Sequence, residues 1–246
     1  MTAQQQLPPT GADTAAAAGP SGQAGLFGHQ SLSRIVPFAI YMAFIVVADV
    51  LARLGWSVDE LRWLYPVKIA AVVAALVYYR RAYAELAWSA MSWRTLLATV
   101  VTGVVVLVWW VNLDADWMQV GASAGFDPTA GTSEVDWTLV ALRIAGAALV
   151  VPVMEELFWR SFLMRWIERS DFLDVAPARV GLRAVAISVV LFGFEHNLWL
   201  AGIVAGVAYS VLYMRTGNLW SPILAHAVTN GLLGVWIVST GSWTYW

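Results

Sequence analysis

Long apolar runs alternate with short polar connections along most of the 246-residue chain. Seven of these runs approach the roughly 20 mostly apolar residues that a membrane-crossing helix needs. They cover residues 35–54, 62–80, 94–113, 137–164, 183–198, 199–214 and 219–240. The fourth run is long and contains Pro152, so it is either kinked or two elements, and eight spans are a second interpretation. The pattern predicts an all-α fold, a polytopic transmembrane helix bundle with about seven to eight spans.

Residues 1–33 have a different composition from the rest of the chain. They are rich in Gln, Pro, Gly and Ala, carry almost no charge and offer little apolar surface to bury. We expect a disordered N-terminal tail. The tail lacks the basic start and apolar core of a signal peptide. Residues 34–246 are expected to form a single transmembrane domain.

The composition supports the same class. The chain is 60% hydrophobic and 12% charged, with a mean hydropathy of +0.67, whereas soluble domains are about a quarter charged. The net charge of -2 and the lack of a basic stripe argue against a nucleic-acid partner. The sequence has no Cys, which excludes disulfides, thiolate zinc sites and a cysteine nucleophile. Many of the 15 Trp, including Trp109–Trp110 and those of the "GSWTYW" stretch, are expected to anchor the protein at the membrane surface.

The distribution of Arg predicts the orientation. Basic residues concentrate in the connections after the second, fourth and sixth runs, and the loop 114–136 contains acids but neither Lys nor Arg. Positively charged loops remain in the cytoplasm, so we expect 114–136 outside and the N-terminus in the cytoplasm. The oligomeric state remains open.

The fourth run carries three charged side chains in "VPVMEELFWRSFLMRW". A charge inside a membrane costs at least a few kcal/mol, about 2.5–3.5 kcal/mol on insertion scales, so it indicates function by default. Glu156 and Arg160 are four residues apart and can form an ion pair on one helix face. Glu155 points elsewhere, which leaves its carboxyl group available for acid–base chemistry.

Two further i, i+4 pairs lie in the late apolar runs. Phe192 and His196 occur in "FGFEH", where the aromatic ring can pack beside the imidazole. His226 and Asn230 occur in "HAVTN" and can present two donors to one point, as a developing oxyanion requires. A Glu–His pair that takes a proton from water and a His–Asn pair that stabilises an oxyanion would form a hydrolytic site without Ser, Cys or metal.

The expected depths of the candidate catalytic residues in the membrane do not agree. If the fourth run enters the membrane from outside at residue 137, Glu155 lies about 27 Å along it, near the cytoplasmic side. His226 is expected near the same side. His196 is expected near the outer end of its short run.

The motifs "EELFWR", "FGFEH" and "HAVTN", in this order over roughly 140–235, resemble the CAAX protease and bacteriocin-processing (CPBP, or Abi) family of glutamic intramembrane endopeptidases. The residues around the first motif also resemble those of the branch of this family that is associated with exosortase systems. The resemblance implies that Glu155 is the catalytic carboxylate and activates water together with His196. It implies that His226 and Asn230 form the oxyanion hole, and that the second Glu and the Arg of the first motif support the site, as Phe192 supports His196.

The resemblance also implies a peptide hydrolase that needs no cofactor or metal. Its partners would be the lipid bilayer and a peptide or protein with a membrane-associated tail, in a bacterial inner membrane. Three alternatives remain. One is a zinc protease with Glu155, His196 and His226 as ligands, although no His-Glu-x-x-His motif occurs. The others are a non-catalytic scaffold and a transporter that uses Glu155 and His196 as a proton relay, although no inverted repeat is visible.

Overall fold

The computed structural model describes residues 26–121, 125–129 and 134–246. Within these residues it contains seven long helices and no β-strand, which confirms the predicted fold class. The helices are α1 (His29–Arg53), α2 (Leu64–Tyr78), α3 (Trp93–Trp110), α4 (Trp137–Trp166), α5 (Leu182–Glu195), α6 (Trp199–Thr216) and α7 (Trp220–Thr240). Each corresponds to one of the seven apolar runs.

Six of the seven helices are long and apolar enough to cross a membrane. The span that contains α2 begins earlier, at Asp59, because the short helix Val58–Leu61 precedes it. Helix α5 is the exception. Its 14 residues extend about 21 Å, less than the roughly 30 Å of a hydrocarbon core. The protein is therefore an integral membrane protein with one helix that is shorter than a full span.

The first helix begins earlier than the sequence predicted. The expected tail, residues 1–33, lies mostly outside the described residues, but residues 29–33 already belong to α1. Ser33 and Arg34 are fully buried. The guanidinium of Arg34 binds the Glu85 carboxylate at 2.6 Å, and the Tyr83 hydroxyl donates to the Ser33 carbonyl at 2.8 Å. These buried contacts fix the start of α1 against the loop that follows α2.

Helix α4 is a single 30-residue element with two wide turns. Segments Gly146–Val150 and Leu157–Leu163 are π-helical and flank the regular segment Val151–Glu156. Pro152 has no N–H to donate to the preceding turn, which accounts for the break in the α-helical ladder at that place. Such π turns are frequent at functional sites. The expected irregularity at Pro152 is therefore a widened turn just before the two carboxylates.

Small residues allow the late helices to approach closely. A Cβ atom at Gly202 on α6 would lie 2.9 Å from the Cα of Gly193 on α5, closer than real Cβ atoms come. Gly103 on α3 similarly faces the backbone of Ala225 on α7. Helices in membranes pack through such small residues. The packing fixes the end of α5 against α6.

The connections form two separate ends of the bundle. At one end, Asn218 donates to Ser89 at 2.9 Å and Trp220 donates to the Leu86 carbonyl at 3.1 Å. At the other end, Arg62 pairs with Asp136 at 2.6 Å, and the Asn197 amide donates to the Val120 carbonyl at 2.7 Å. Val120 and Gly121 of the Lys- and Arg-free loop thus contact the turn between α5 and α6.

Candidate active site

The two adjacent carboxylates of α4 are both buried but have different surroundings. Glu155 is 3% exposed and Glu156 is 0% exposed. Neighbours on a helix point about 100° apart, so the two side chains enter different parts of the bundle. Their chemistry follows from what each one meets there.

Glu156 binds two partners through one of its carboxylate oxygens. Its Oε1 lies 3.1 Å from Nη1 of Arg160, the ion pair that the spacing indicates. The same oxygen lies 3.1 Å from Nδ1 of His226 on α7. Arg160 also packs against the Phe192 ring, with its guanidinium carbon 4.3 Å from the ring centre. The pair therefore connects α4 with α5 and α7 at the centre of the bundle.

Glu155 faces a cavity and has no ion pair among the described residues. Its Oε2 is buried and has no hydrogen-bond partner there. The cavity has a volume of about 240 Å³ and is also lined by His196, His226 and Asn230. All four predicted catalytic side chains thus border one cavity, contributed by α4, α7 and the turn after α5. A carboxyl group inside a membrane protein is costly, so its place on a cavity indicates function.

His196 follows the last residue of α5 and borders the cavity half-buried. Its Nδ1 lies 2.8 Å from the Phe192 carbonyl oxygen. A carbonyl only accepts, so Nδ1 carries the proton and Nε2 retains a free lone pair. The Phe192 and Trp110 rings pack beside the imidazole at 4.8 and 5.2 Å between ring centres. This arrangement fixes the ring with an unprotonated nitrogen available as a base.

His226 and Asn230 have partners that the sequence did not indicate. His226 contacts Glu156 through Nδ1 and stacks on the Tyr209 ring at 5.0 Å. The Asn230 amide donates to the Ala147 carbonyl of α4 at 2.9 Å. Both side chains line the cavity. Each retains one further polar N–H or nitrogen, because an amide has two N–H groups and an imidazole two nitrogens.

Several residues of the site were missed by sequence reasoning. The Tyr209 hydroxyl donates to Thr229 at 2.7 Å, and the Thr229 hydroxyl lies 2.9 Å from the Gly103 carbonyl, connecting α6, α7 and α3. Thr229 lies within "HAVTN", so its position three residues after His226 was an available signal. Arg143 was also missed, although it is the sole charged residue between 137 and 154. Nothing in the sequence indicates the contribution of Tyr209.

A wider space leads into the cavity from the end of the bundle that carries the acidic loop. It measures about 570 Å³ and shares Trp110, His196, Tyr245 and Trp246 with the inner cavity. The Tyr245 hydroxyl donates to Asp114 at 2.8 Å. Burial raises the pKa of Tyr245 to about 12, and the Asp114 carboxylate acts in the same direction. Three aromatic residues expected as membrane anchors therefore line the entrance to the candidate site.

Comparison with known families gave one match. Residues 137–232 match the model described as Rce1-like, Type II CAAX prenyl endopeptidase. This region, less than half of the chain, contains all three motifs. The region that carries the motifs is thus similar to CAAX proteases. The match supports the predicted intramembrane endopeptidase, a peptide hydrolase of the bilayer. No curated protein and no solved structure gave a significant match.

The described residues also bear on the zinc alternative. Among residues 26–121, 125–129 and 134–246, no three His, Asp or Glu side chains converge with the geometry of a metal site. Glu155, His196 and His226 border the same cavity but do not form such a group. Zinc in proteins takes three or four ligands at about 2.0–2.3 Å.

Proposed function

We propose that the enzyme is a glutamic endopeptidase in which Glu155 and His196 activate water without a metal. A water molecule between them donates hydrogen bonds to the Glu155 carboxylate and to Nε2 of His196. Its oxygen attacks the scissile carbonyl carbon while its proton passes to one of these two groups. General-base catalysis of this kind contributes about 10²–10⁴ to a rate.

The tetrahedral intermediate places a negative charge on the former carbonyl oxygen. The second Asn230 N–H and an Nε2–H of His226 would hold this oxyanion. Nδ1 of His226 faces the Glu156 carboxylate, which leaves Nε2 available for the oxyanion. When the intermediate collapses, the C–N bond breaks. The proton taken from water then passes to the leaving amine nitrogen.

One observation carries this proposal. Glu155 borders the cavity and forms no ion pair or hydrogen bond within the described part of the chain, whereas Oε1 of the adjacent Glu156 is bound by Arg160 and His226. A scaffold would gain stability by pairing or removing such a carboxyl group. The transporter alternative has no comparable support, because the cavity opens toward one end of the bundle, whereas a proton relay needs a path to both faces.

The orientation is part of the same proposal. With 114–136 outside, the cavity entrance beside Asp114 faces the outer side, and the N-terminus lies in the cytoplasm. We place the enzyme in a bacterial inner membrane on the strength of its family resemblance. Its substrate would be a peptide or protein with a membrane-associated tail.

Comparison of membrane proteomes tests the function in the cell. Cells expressing wild-type enzyme and cells expressing Glu155→Ala at equal levels would be compared for the carboxyl-terminal peptides of membrane proteins. We expect at least one protein to retain an uncut tail only in the Glu155→Ala cells. Identical tails in both strains, with the wild-type enzyme present and folded, would contradict the proposal.

A further inference from the structure

Arg143 is a half-buried cation of the cavity without an acidic partner. No carboxylate among the described residues lies within ion-pairing distance of its guanidinium, and no hydrogen bond from its side chain is formed there. Aromatic rings surround it instead, with centres at 4.6 Å for Phe126, 4.7 Å for Tyr65 and 5.7 Å for Trp246. The guanidinium can hold its position on these faces and still present its N–H groups to the cavity.

A second cation reinforces the positive charge near Arg143. Lys68 on α2 lies over the Tyr41 ring at 3.8 Å and over the Tyr65 ring at 4.9 Å. The Tyr65 ring therefore contacts both cations. No acid in the described part of the chain forms an ion pair with Lys68. The nearby acid Asp136, at the start of α4, is already bound by Arg62 at 2.6 Å. Two unpaired cations at the edge of a membrane cavity are suited to an anionic group of the ligand.

The register of α4 places Arg143 and Glu155 on the same cavity. Residues Arg143, Ala147, Val151 and Glu155 recur every four positions, and all four line it. In an unbroken α-helix, twelve residues would turn Glu155 about 120° away from Arg143. The π turn Gly146–Val150 accommodates one extra residue within a helical turn. This residue adds no net rotation, so the angle between the two side chains decreases by about 100°. The wide turn thus aligns a cation, two small apolar side chains and the free carboxyl group.

We propose that Arg143 binds the terminal carboxylate of the peptide whose bond is cleaved beside Glu155. This inference rests on the proposed function of Glu155. Arg presents a planar fork of donors that matches a carboxylate with two parallel hydrogen bonds. Ala147 and Val151 line the cavity between Arg143 and Glu155. We therefore expect apolar residues in the substrate segment between the scissile bond and the terminal carboxylate.

The distance along α4 limits the length of that segment. Twelve residues correspond to about 18 Å, and an extended peptide rises about 3.3 Å per residue. A segment of no more than about five residues fits between the scissile bond and the carboxylate. Arg143 would thereby select substrates cut close to their carboxyl end and exclude internal loops, which have no terminal charge to offer.

Paired peptides test this specificity in reconstituted enzyme. The probe is a fluorescence-quenched peptide with an S-farnesyl cysteine and three apolar residues after it, made with a free carboxylate or a carboxamide. We expect wild-type enzyme to cleave the acid with a kcat/KM at least tenfold above the amide. Arg143→Gln should lower the value for the acid by about 10- to 100-fold and leave the amide within about twofold. Arg143→Lys should fall between them, because it retains the charge without the fork.

The matched control is Arg94→Gln, an exposed Arg of α3 outside the cavity, which should preserve the preference. A wild-type enzyme that cleaves both peptides equally, or an Arg143→Gln enzyme that retains the preference, would overturn the proposal. A folding defect lowers cleavage of both peptides alike and is thereby distinguished. An effect that appears equally for both peptides and only in vesicles with anionic lipid would assign Arg143 to a phosphate headgroup, which also overturns the proposal.

Binding separates this proposal from the proposed function. The Glu155→Gln enzyme, with and without Arg143→Gln, would be titrated with both peptides while tryptophan fluorescence is recorded. Tighter binding of the acid that disappears with Arg143→Gln supports the anchor even if Glu155→Gln still cleaves and the catalytic proposal fails. Equal binding of acid and amide, or no binding of either, would contradict the anchor whatever the catalytic result.

Discussion

Nδ1 of His226 lies 3.1 Å from Oε1 of Glu156, the second carboxylate of the pair and not the first. The same oxygen lies 3.1 Å from Arg160. The supporting pair inferred from the spacing is therefore a triad that spans α4 and α7. Glu156 both neutralises Arg160 and orients His226, and neither of these side chains forms an ion pair or hydrogen bond with the adjacent Glu155.

Replacement of Glu156 should destabilise the helix bundle and also inactivate the enzyme. Glu156→Ala removes the carboxylate that binds the buried Arg160 and His226, and it leaves Arg160 only a long contact of 3.4 Å with the Gly206 carbonyl. Breaking a buried ion pair typically costs about 3–5 kcal/mol. The free energy of unfolding would be measured by titration with denaturing detergent. The control is Asp174→Asn, which removes the exposed pair of Arg169 and Asp174 and should change stability by less than about 1 kcal/mol. Equal effects of the two variants would contradict the triad.

Loss of either oxyanion donor should reduce turnover far more than binding. We expect Asn230→Ala and His226→Ala each to lower kcat by about 10²–10³, the usual effect of removing one such donor. Asn230→Ala is the cleaner test, because His226 also holds Glu156. Steady-state cleavage in nanodiscs would be recorded beside a thermal unfolding curve. A folded Asn230→Ala enzyme with near-normal kcat would show that this amide does not hold the oxyanion.

The close packing of α5 and α6 should be sensitive to a single methyl group. Gly202→Ala places a Cβ 2.9 Å from the Gly193 backbone, which forces the helices apart and typically costs about 1–3 kcal/mol. Because α5 ends at His196, we also expect reduced cleavage. Gly231→Ala on α7 is the matched control, since its Cβ would have an ordinary contact at 3.7 Å with Ala148. Comparable stability of both variants would exclude tight packing at Gly202.

Prolonged chelation should leave peptide cleavage unchanged. The proposed water activation uses Glu155 and His196 alone, so dialysis against a strong zinc chelator should alter the rate by less than about twofold. The measurement compares dialysed enzyme with and without added Zn²⁺. Loss of activity on dialysis and its recovery with Zn²⁺ would instead support the zinc protease.

Helix identity and the motif pairs were readable from the sequence because they depend on local rules. Apolar runs of membrane length gave seven helices in the correct places, and i, i+4 spacing gave the Glu156–Arg160 ion pair. The start of α1 was misjudged, since Ser33 and Arg34 are buried by contacts with distant residues. A polar start to a helix resembles a tail when only its own composition is considered.

The three-dimensional partners of the site were not readable. The sequence suggested that Glu155 and His196 lie at different depths, yet both line one cavity. Helix α4 is about 45 Å long, more than a hydrocarbon core, so residue 137 does not define the membrane boundary. Helix α5, with 14 residues, is shorter than a full span. The contacts of His226 with Glu156, and of Arg143 with three aromatic rings, depend on packing between elements and have no signature in spacing.

Cleavage by Glu155→Gln is the most direct measurement. Gln keeps the size of the side chain and removes its ability to accept a proton, so packing at the cavity is preserved. With purified enzyme in nanodiscs and a farnesylated peptide that the wild type cuts, we expect the rate to fall by at least about 10² while the unfolding curve is unchanged. A folded Glu155→Gln enzyme that cuts the peptide within about tenfold of the wild-type rate would contradict the role of this carboxyl group.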